Sequence, residues 1–234
     1  MKPTKCAVIG CGGIAVYAAP MLSRLTDLVL VDGDNYEKGN VDRQFPALHS
    51  TENKAKVLTE LLQPNTLQKI QAIPEFLKGP QIMNFDEWEG VDLIVGAVDN
   101  TESRRIIVEL CEIMNIPGIL AGNEHKHGEA HLMIPGVYNP FDHFNFEDGE
   151  PTPWACNSDK QLSEHPQTAL ANMLAAGAIM HLLLSLGEAT NVQNAICYSR
   201  LDVFHSEYKR VKDMLVAKQI EEDLTQDQLA ALAV

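Results

Sequence analysis

The sequence holds five cysteines, an odd number, and no CxxC pair among them. That argues against a disulfide framework and against a four-cysteine zinc site. Basic residues are few: 18 Lys and Arg stand against 32 Asp and Glu, for a net charge of −14. This balance argues against nonspecific binding to nucleic acid. It suits a basic protein partner, and it is equally the ordinary state of an acidic globular protein. No apolar run reaches membrane-spanning length. The longest, residues 169–186, is interrupted by Asn172 and His181 and reads as a buried helix, so no membrane association is expected. Residues 1–4 show no signal-peptide pattern, and a cytoplasmic location is expected. Repeats and low-complexity tracts are lacking too. What remains, 234 residues at 45% hydrophobic and 21% charged, fits one large globular domain or a domain with an appendage.

The stretch that is most informative is Val8-Ile9-Gly10-Cys11-Gly12-Gly13-Ile14-Ala15. A short apolar run ends in glycines and turns into a helical pattern, the opening of a nucleotide-binding βαβ unit. Gly10 permits the tight turn, Gly12 lets a phosphate approach the backbone, and Ala15 fills the slot where a small residue lets helix pack on strand. Amides at the helix start, Gly13 among them, then face the phosphates. The next apolar run closes on Asp32, 22 residues after Gly10, where a ribose-binding acid belongs.

Strands are expected at residues 5–9, 27–32, 67–73, 91–98 and 116–121, with helices at 12–25 (carrying Pro20), 51–62 and 101–114. Residues 74–90 fit neither period. This alternation predicts an α/β, doubly wound, Rossmann-like sheet, mostly parallel, with helices on both faces. After residue 125 the pattern changes to antiparallel strands at 129–134 and 195–204. Between them lie a long aperiodic loop, 137–165, and an apolar helix opened by Pro166. The domain is taken as 1–205, followed by a polar, helix-prone C-terminal tail, 206–234.

Polar clusters fall at the carboxyl ends of the strands: Asp32 and Asp34, then Asn40, Arg43 and Gln44, then Lys56, then Asp99 and Asn100 with Arg104 a turn further on. Ligands of open α/β sheets sit at that edge. Two cations for phosphate oxygens, with an acid placed to hold a metal, are equipment for phosphate chemistry rather than hydride transfer. An NAD-dependent dehydrogenase would use the same glycine loop and Asp32 without needing Arg43, Lys56 and Asp99.

The runs VDGDNYEKGNVDRQ, NKAKV and AVDNTESRR, at residues 31–44, 53–57 and 97–105, resemble the adenylating domain of the ThiF/MoeB/HesA family, relatives of ubiquitin-activating enzymes. The resemblance covers about residues 5–135, and more weakly 150–187. It implies ATP- and magnesium-dependent adenylation of the C-terminal carboxylate of a ubiquitin-like or sulfur-carrier protein ending in Gly-Gly. Asp32 would bind the ribose; Asn40, Arg43, Gln44 and Lys56 would surround the phosphates; Asp99 would hold magnesium. QFPALHSTENKAKV and PQTALANMLAA are similar to ThiF-like proteins of plasmid and phage gene clusters. The resemblance also implies a homodimer. It leaves room for a small-peptide or tRNA-borne carboxylate, or for a nucleotide-binding scaffold without turnover.

Two departures stand out. The family's paired CxxC motifs are missing, DGEPTPWAC keeping only Cys156, so no structural zinc is expected. Only residues 1–4 stand ahead of the first expected strand, so the arginine that a leading helix in such relatives extends to a partner's ATP site is expected to be absent or replaced. Cys156 is either an acyl-accepting thiol or incidental. Arg104 contacts the nucleotide or pairs with a surface acid. His125, His127 and His131 share strand parity, but no cysteine completes a metal set. Phe141, Phe144, Phe146 and Trp154 either dock a partner or bury part of the loop.

Overall fold

A computed structural model describes residues 3–48, 50–81, 86–123, 126–144, 168–189, 191–202 and 205–223. His125, Phe146, Trp154, Cys156 and the end of the tail lie outside the described residues.

The strands β1 (Lys5–Ile9), β2 (Asp27–Val31), β3 (Ile70–Ile73), β4 (Leu93–Gly96) and β5 (Gly118–Asn123) run parallel. β1, β2 and β4 are almost continuous apolar runs because both of their faces are covered. Antiparallel β6 (His127–Met133), β7 (Ile196–Asp202) and β8 (Ser206–Arg210) complete an eight-stranded mixed sheet in the order β3-β2-β1-β4-β5-β6-β7-β8. The Asp92 carboxylate fastens the start of β1, accepting hydrogen bonds from the amide of Thr4 at 2.8 Å and its hydroxyl at 2.8 Å.

Helices α1 (Ala15–Leu22), α2 (Lys54–Leu62) and α4 (Ala169–Glu188) cover one face, where Leu22, Leu58 and Ile179 join Val8, Leu30 and Ala130 in one core. On the other face, α3 (Thr101–Met114) brings Ile107 and Leu110 onto Ile9, Val31 and Leu120, with Trp88 beside them. α4 is long and apolar enough to cross a membrane by length and composition. Here it lies over β5, β6 and β7 and against α1. Gly128 of β6 allows that close approach, since a Cβ there would meet the backbone of Ala175.

Side-chain caps set where three helices begin. Asn53, Asn100 and Thr168 each accept a hydrogen bond from the amide three residues on, at 3.1, 2.8 and 3.1 Å. α3 ends at Asn115, whose left-handed backbone (φ 52°) suits asparagine.

Most boundaries shift by a few residues from the sequence expectation, and three of the shifts have a plain physical cause. α1 starts at Ala15, since residues 10–14 are spent on the glycine turn. β3 omits Leu67, which is fully exposed. Residues 206–210, expected in the helical tail, form β8, and α5 (Val211–Asp223) follows. All five residues of β8 are exposed, so no buried alternation marked the strand; its Lys209 and Arg210 are the charges expected on a sheet edge.

Candidate nucleotide site

The chain leaves β1 toward β2 and β3 on one side, then returns to β4 and β5 on the other. At this switch point, outside the carboxyl ends of the strands, lies a cavity of about 380 Å³. Gly10, Gly12 and Gly13 form its floor. Gly10 has φ +89°, and a Cβ on it would stand 2.6 Å from the Ala97 carbonyl, so only glycine fits.

Asp32 follows β2 and lines the cavity. Its carboxylate accepts hydrogen bonds from the Cys11 amide at 2.6 Å and the Asp34 amide at 2.8 Å. Burial pushes its pKa above the ordinary carboxylate value, and the two amides and Lys54 oppose that shift. The cap residue Asn53 donates to the carbonyls of Asp32 at 2.8 Å and Asp34 at 3.1 Å, which clamps the start of α2 to the end of β2.

That clamp selects the lysine. Lys54, at the first helical position, lines the cavity, its ammonium 3.2 Å from Asp34. Lys56, the lysine expected from sequence, is exposed and does not line the cavity. Two residues along a helix is about 200° of rotation, so the two lysines leave α2 on different sides. Lys54, and not the expected Lys56, is therefore the lysine of α2 that faces the cavity.

Residues 37–44 form a compact loop. Asn40 accepts from the Glu37 amide at 3.0 Å, and the Arg43 guanidinium donates to the Gly39 carbonyl and to Asp42, both at 2.9 Å. Asn40, Arg43 and Gln44 all line the cavity. Gln44 is buried, and its Oε1 has no hydrogen-bond partner among the described residues.

On the far side, Asp99 and Asn100 follow β4 and are exposed at the cavity wall. Asn100 does two jobs, capping α3 and donating to Asp99 at 3.3 Å. Arg104 is 3% exposed, lines the cavity and donates to the Val98 carbonyl at 2.9 Å. It is a buried arginine of the cavity wall. A single carboxylate beside phosphate oxygens is the kind of donor set that magnesium uses, and Asp99 fits it.

Sequence reasoning missed several lining residues: Phe76 and Leu77, from a stretch without clear periodicity, and Asn123 and Asn172. Asn172 carried a signal, being a polar residue inside an apolar helix.

The histidines lie elsewhere. His131 is fully buried 3.6 Å from Glu129, and burial, Arg104 and Lys209 hold its pKa well below the usual value. Phe144 packs edge-on to His131 with ring centroids 4.5 Å apart, and Phe141 lies 4.9 Å from the Arg105 guanidinium. These two aromatics are thus packed within the fold. Cys6, Cys11, Cys111 and Cys197 are buried free thiols.

A doubly wound sheet whose switch-point cavity is floored by a glycine turn and lined by Asp32, Arg43 and Lys54 is the architecture of a nucleotide-binding α/β protein. The chain belongs to the ThiF family, whose sequence model matches residues 1–220. It is 28% identical over 142 residues to ubiquitin-like modifier-activating enzyme 5 of Aedes aegypti, a match covering 55% of this chain and 36% of that protein. Over 129 residues it is 28% identical to the tRNA threonylcarbamoyladenosine dehydratase of Haemophilus influenzae, covering 52% and 48%. The chain thus spans between about a third and half the length of these relatives. Among solved structures, E. coli MccB with ATP has TM-score 0.65 at 19% identity, covering 90% of this chain and 64% of MccB. MccB with MccA-N7isoASN has TM-score 0.67 at 16% identity, covering 90% and 65%. At these identities the structural likeness speaks for the fold.

Proposed function

We propose that this ThiF-family chain is an ATP-dependent adenylyltransferase that activates a C-terminal carboxylate. The observation that carries this reading is one cavity walled by the glycine turn, Asp32, Arg43, Lys54 and Asp99. The carboxylate oxygen of the acceptor attacks the α-phosphorus of ATP. The bond from that phosphorus to the bridging oxygen breaks, pyrophosphate leaves with the electron pair, and an acyl-adenylate remains. Asp32 holds the ribose. Arg43 and Lys54 meet negative charge as it builds on the phosphate oxygens, in a pose fixed by the loop and by the α2 cap, so they lower the barrier more than they aid ground-state binding. Asp99 would hold magnesium, which would supply further charge neutralisation there.

The acceptor is proposed to be a ubiquitin-like or sulfur-carrier protein ending in Gly-Gly, in keeping with the similarity to ubiquitin-like modifier-activating enzyme 5. A peptide acceptor is the second reading, favoured by the fold's likeness to MccB, which was solved with MccA. The test is ATP–pyrophosphate exchange with a Gly-Gly carrier, with a free peptide, and with each bearing an amidated C-terminus. Exchange is expected with one free carboxylate and not with its amide. Exchange with neither, or tight binding of NAD with none of ATP, overturns the proposal. Pairing into a homodimer is proposed as well, and light scattering at micromolar concentration tests it.

A further inference from the structure

We propose that Asn172 is a positioning residue: it fixes the Arg43 loop and the end of β5 against the glycine turn, so that Arg43 meets the phosphates in one pose. This rests on the reading of Arg43 as a phosphate contact.

Asn172 is 0% exposed, on a helix whose other buried positions are apolar, such as Ala175, Ile179 and Leu182. A buried amide is costly unless both of its ends are used. Here both are. Oδ1 accepts from Asn123 Nδ2 at 2.8 Å, and Nδ2 donates to the Arg43 carbonyl at 3.4 Å.

The glycine turn completes the bracket. A Cβ on Gly13 would stand 2.5 Å from Asn172 Nδ2 and 2.7 Å from Oδ1. The missing side chain at residue 13 therefore makes room for this amide, apart from any approach of a phosphate.

The bonds of residues 37–44 already described join the loop to itself. They set its shape and leave its placement over the cavity to contacts with the body. The Asn172 bond is such a contact, and the edge-on pair of Tyr17 and Phe45, centroids 6.4 Å apart, is another. Asn172 also lines the cavity and abuts the glycine turn, but it holds the backbone of Arg43 itself, and the route proposed for its influence on a bound phosphate is through that residue.

The experiment is a double-mutant cycle on affinity for ATP with magnesium, measured by calorimetry without acceptor on Arg43→Ala, Asn172→Ala and the pair. Arg43→Ala is expected to weaken binding about tenfold, the scale of one hydrogen bond to a charged group. Asn172→Ala is expected to weaken it about fivefold, and the pair to bind no more weakly than Arg43→Ala alone. A merely structural role would multiply the two losses. Multiplied losses, wild-type affinity in Asn172→Ala, or no effect of Arg43→Ala each overturn the proposal. If alanine at 172 lowers the yield of folded protein, Asn172→Ser carries the same cycle. A coupled cycle in a protein that shows no pyrophosphate exchange would defeat the adenylation reading and leave the positioning role standing. Exchange together with multiplied losses would do the reverse.

Discussion

Replacing Lys54 tests the site most sharply, because a second lysine two residues away serves as the control. The Lys54 side chain is 13% exposed and lies 3.2 Å from Asp34, whose side chain is 56% exposed. A unit charge facing a phosphate oxygen at about 4 Å is worth about 4 kcal/mol at an effective dielectric near 20. Losing one preorganised charge contact costs about 2.7–4 kcal/mol, so Lys54→Ala should slow pyrophosphate exchange about a hundredfold or more. Part of that loss is repulsion from Asp34, left without its cation before the phosphates. Solvent screens a half-exposed carboxylate to about 1 kcal/mol, so adding Asp34→Asn to Lys54→Ala should recover about fivefold. Lys56→Ala removes an exposed charge outside the cavity and should leave exchange within about twofold. Exchange rates at saturating acceptor, with thermal melts to confirm folding, decide the matter. A silent Lys54→Ala beside a damaging Lys56→Ala would refute the placement of α2 and the assignment drawn from it.

Asp99→Asn should remove most of the exchange activity together with its response to magnesium, read from a magnesium titration of the two proteins. Gly10→Ala forces a Cβ to 2.6 Å from the Ala97 carbonyl at a positive φ; differential scanning calorimetry should show the melting temperature falling by about 5 °C or more. His131 is held below its usual value of 6.5 by burial, so the unfolded chain takes up a proton that the folded chain refuses. Its contribution is therefore whole above pH 6.5 and lost as pH falls below it, at up to about 1.4 kcal/mol per pH unit. Denaturant titrations should show that slope flattened in His131→Gln.

Much of the fold and part of the site could be read directly from residues. The glycine turn, the acid after β2 and the Asp99-Asn100 pair after β4 are local patterns, each made by a few adjacent residues, and the structure gathers them at one sheet edge. Lys54 and Lys56 are equivalent to any count of charge or spacing. Only the phase of α2 separates them, and that phase is set by hydrogen bonds from Asn53 to the backbone about 20 residues earlier. Asn172 and Asn123 lie 49 residues apart, and nothing in either neighbourhood announces that they meet. β8 was illegible for another reason. An exposed edge strand buries no face, so its residues carry no alternation.

The Asp92 carboxylate that fastens Thr4 has a consequence for how the molecule comes into being. β1 is made before its neighbour β4, and it finds that strand and the clasp at residue 92 only after nearly ninety further residues have been made. Until then the glycine turn has no Ala97 beneath it, and until Asn172 is made the Arg43 loop lacks one of its ties to the body. Nucleotide is therefore expected to be held only once the chain has been made through α4. A fragment ending before α4 should fold its parallel strands poorly and hold ATP weakly, however many of the nucleotide-facing residues it contains.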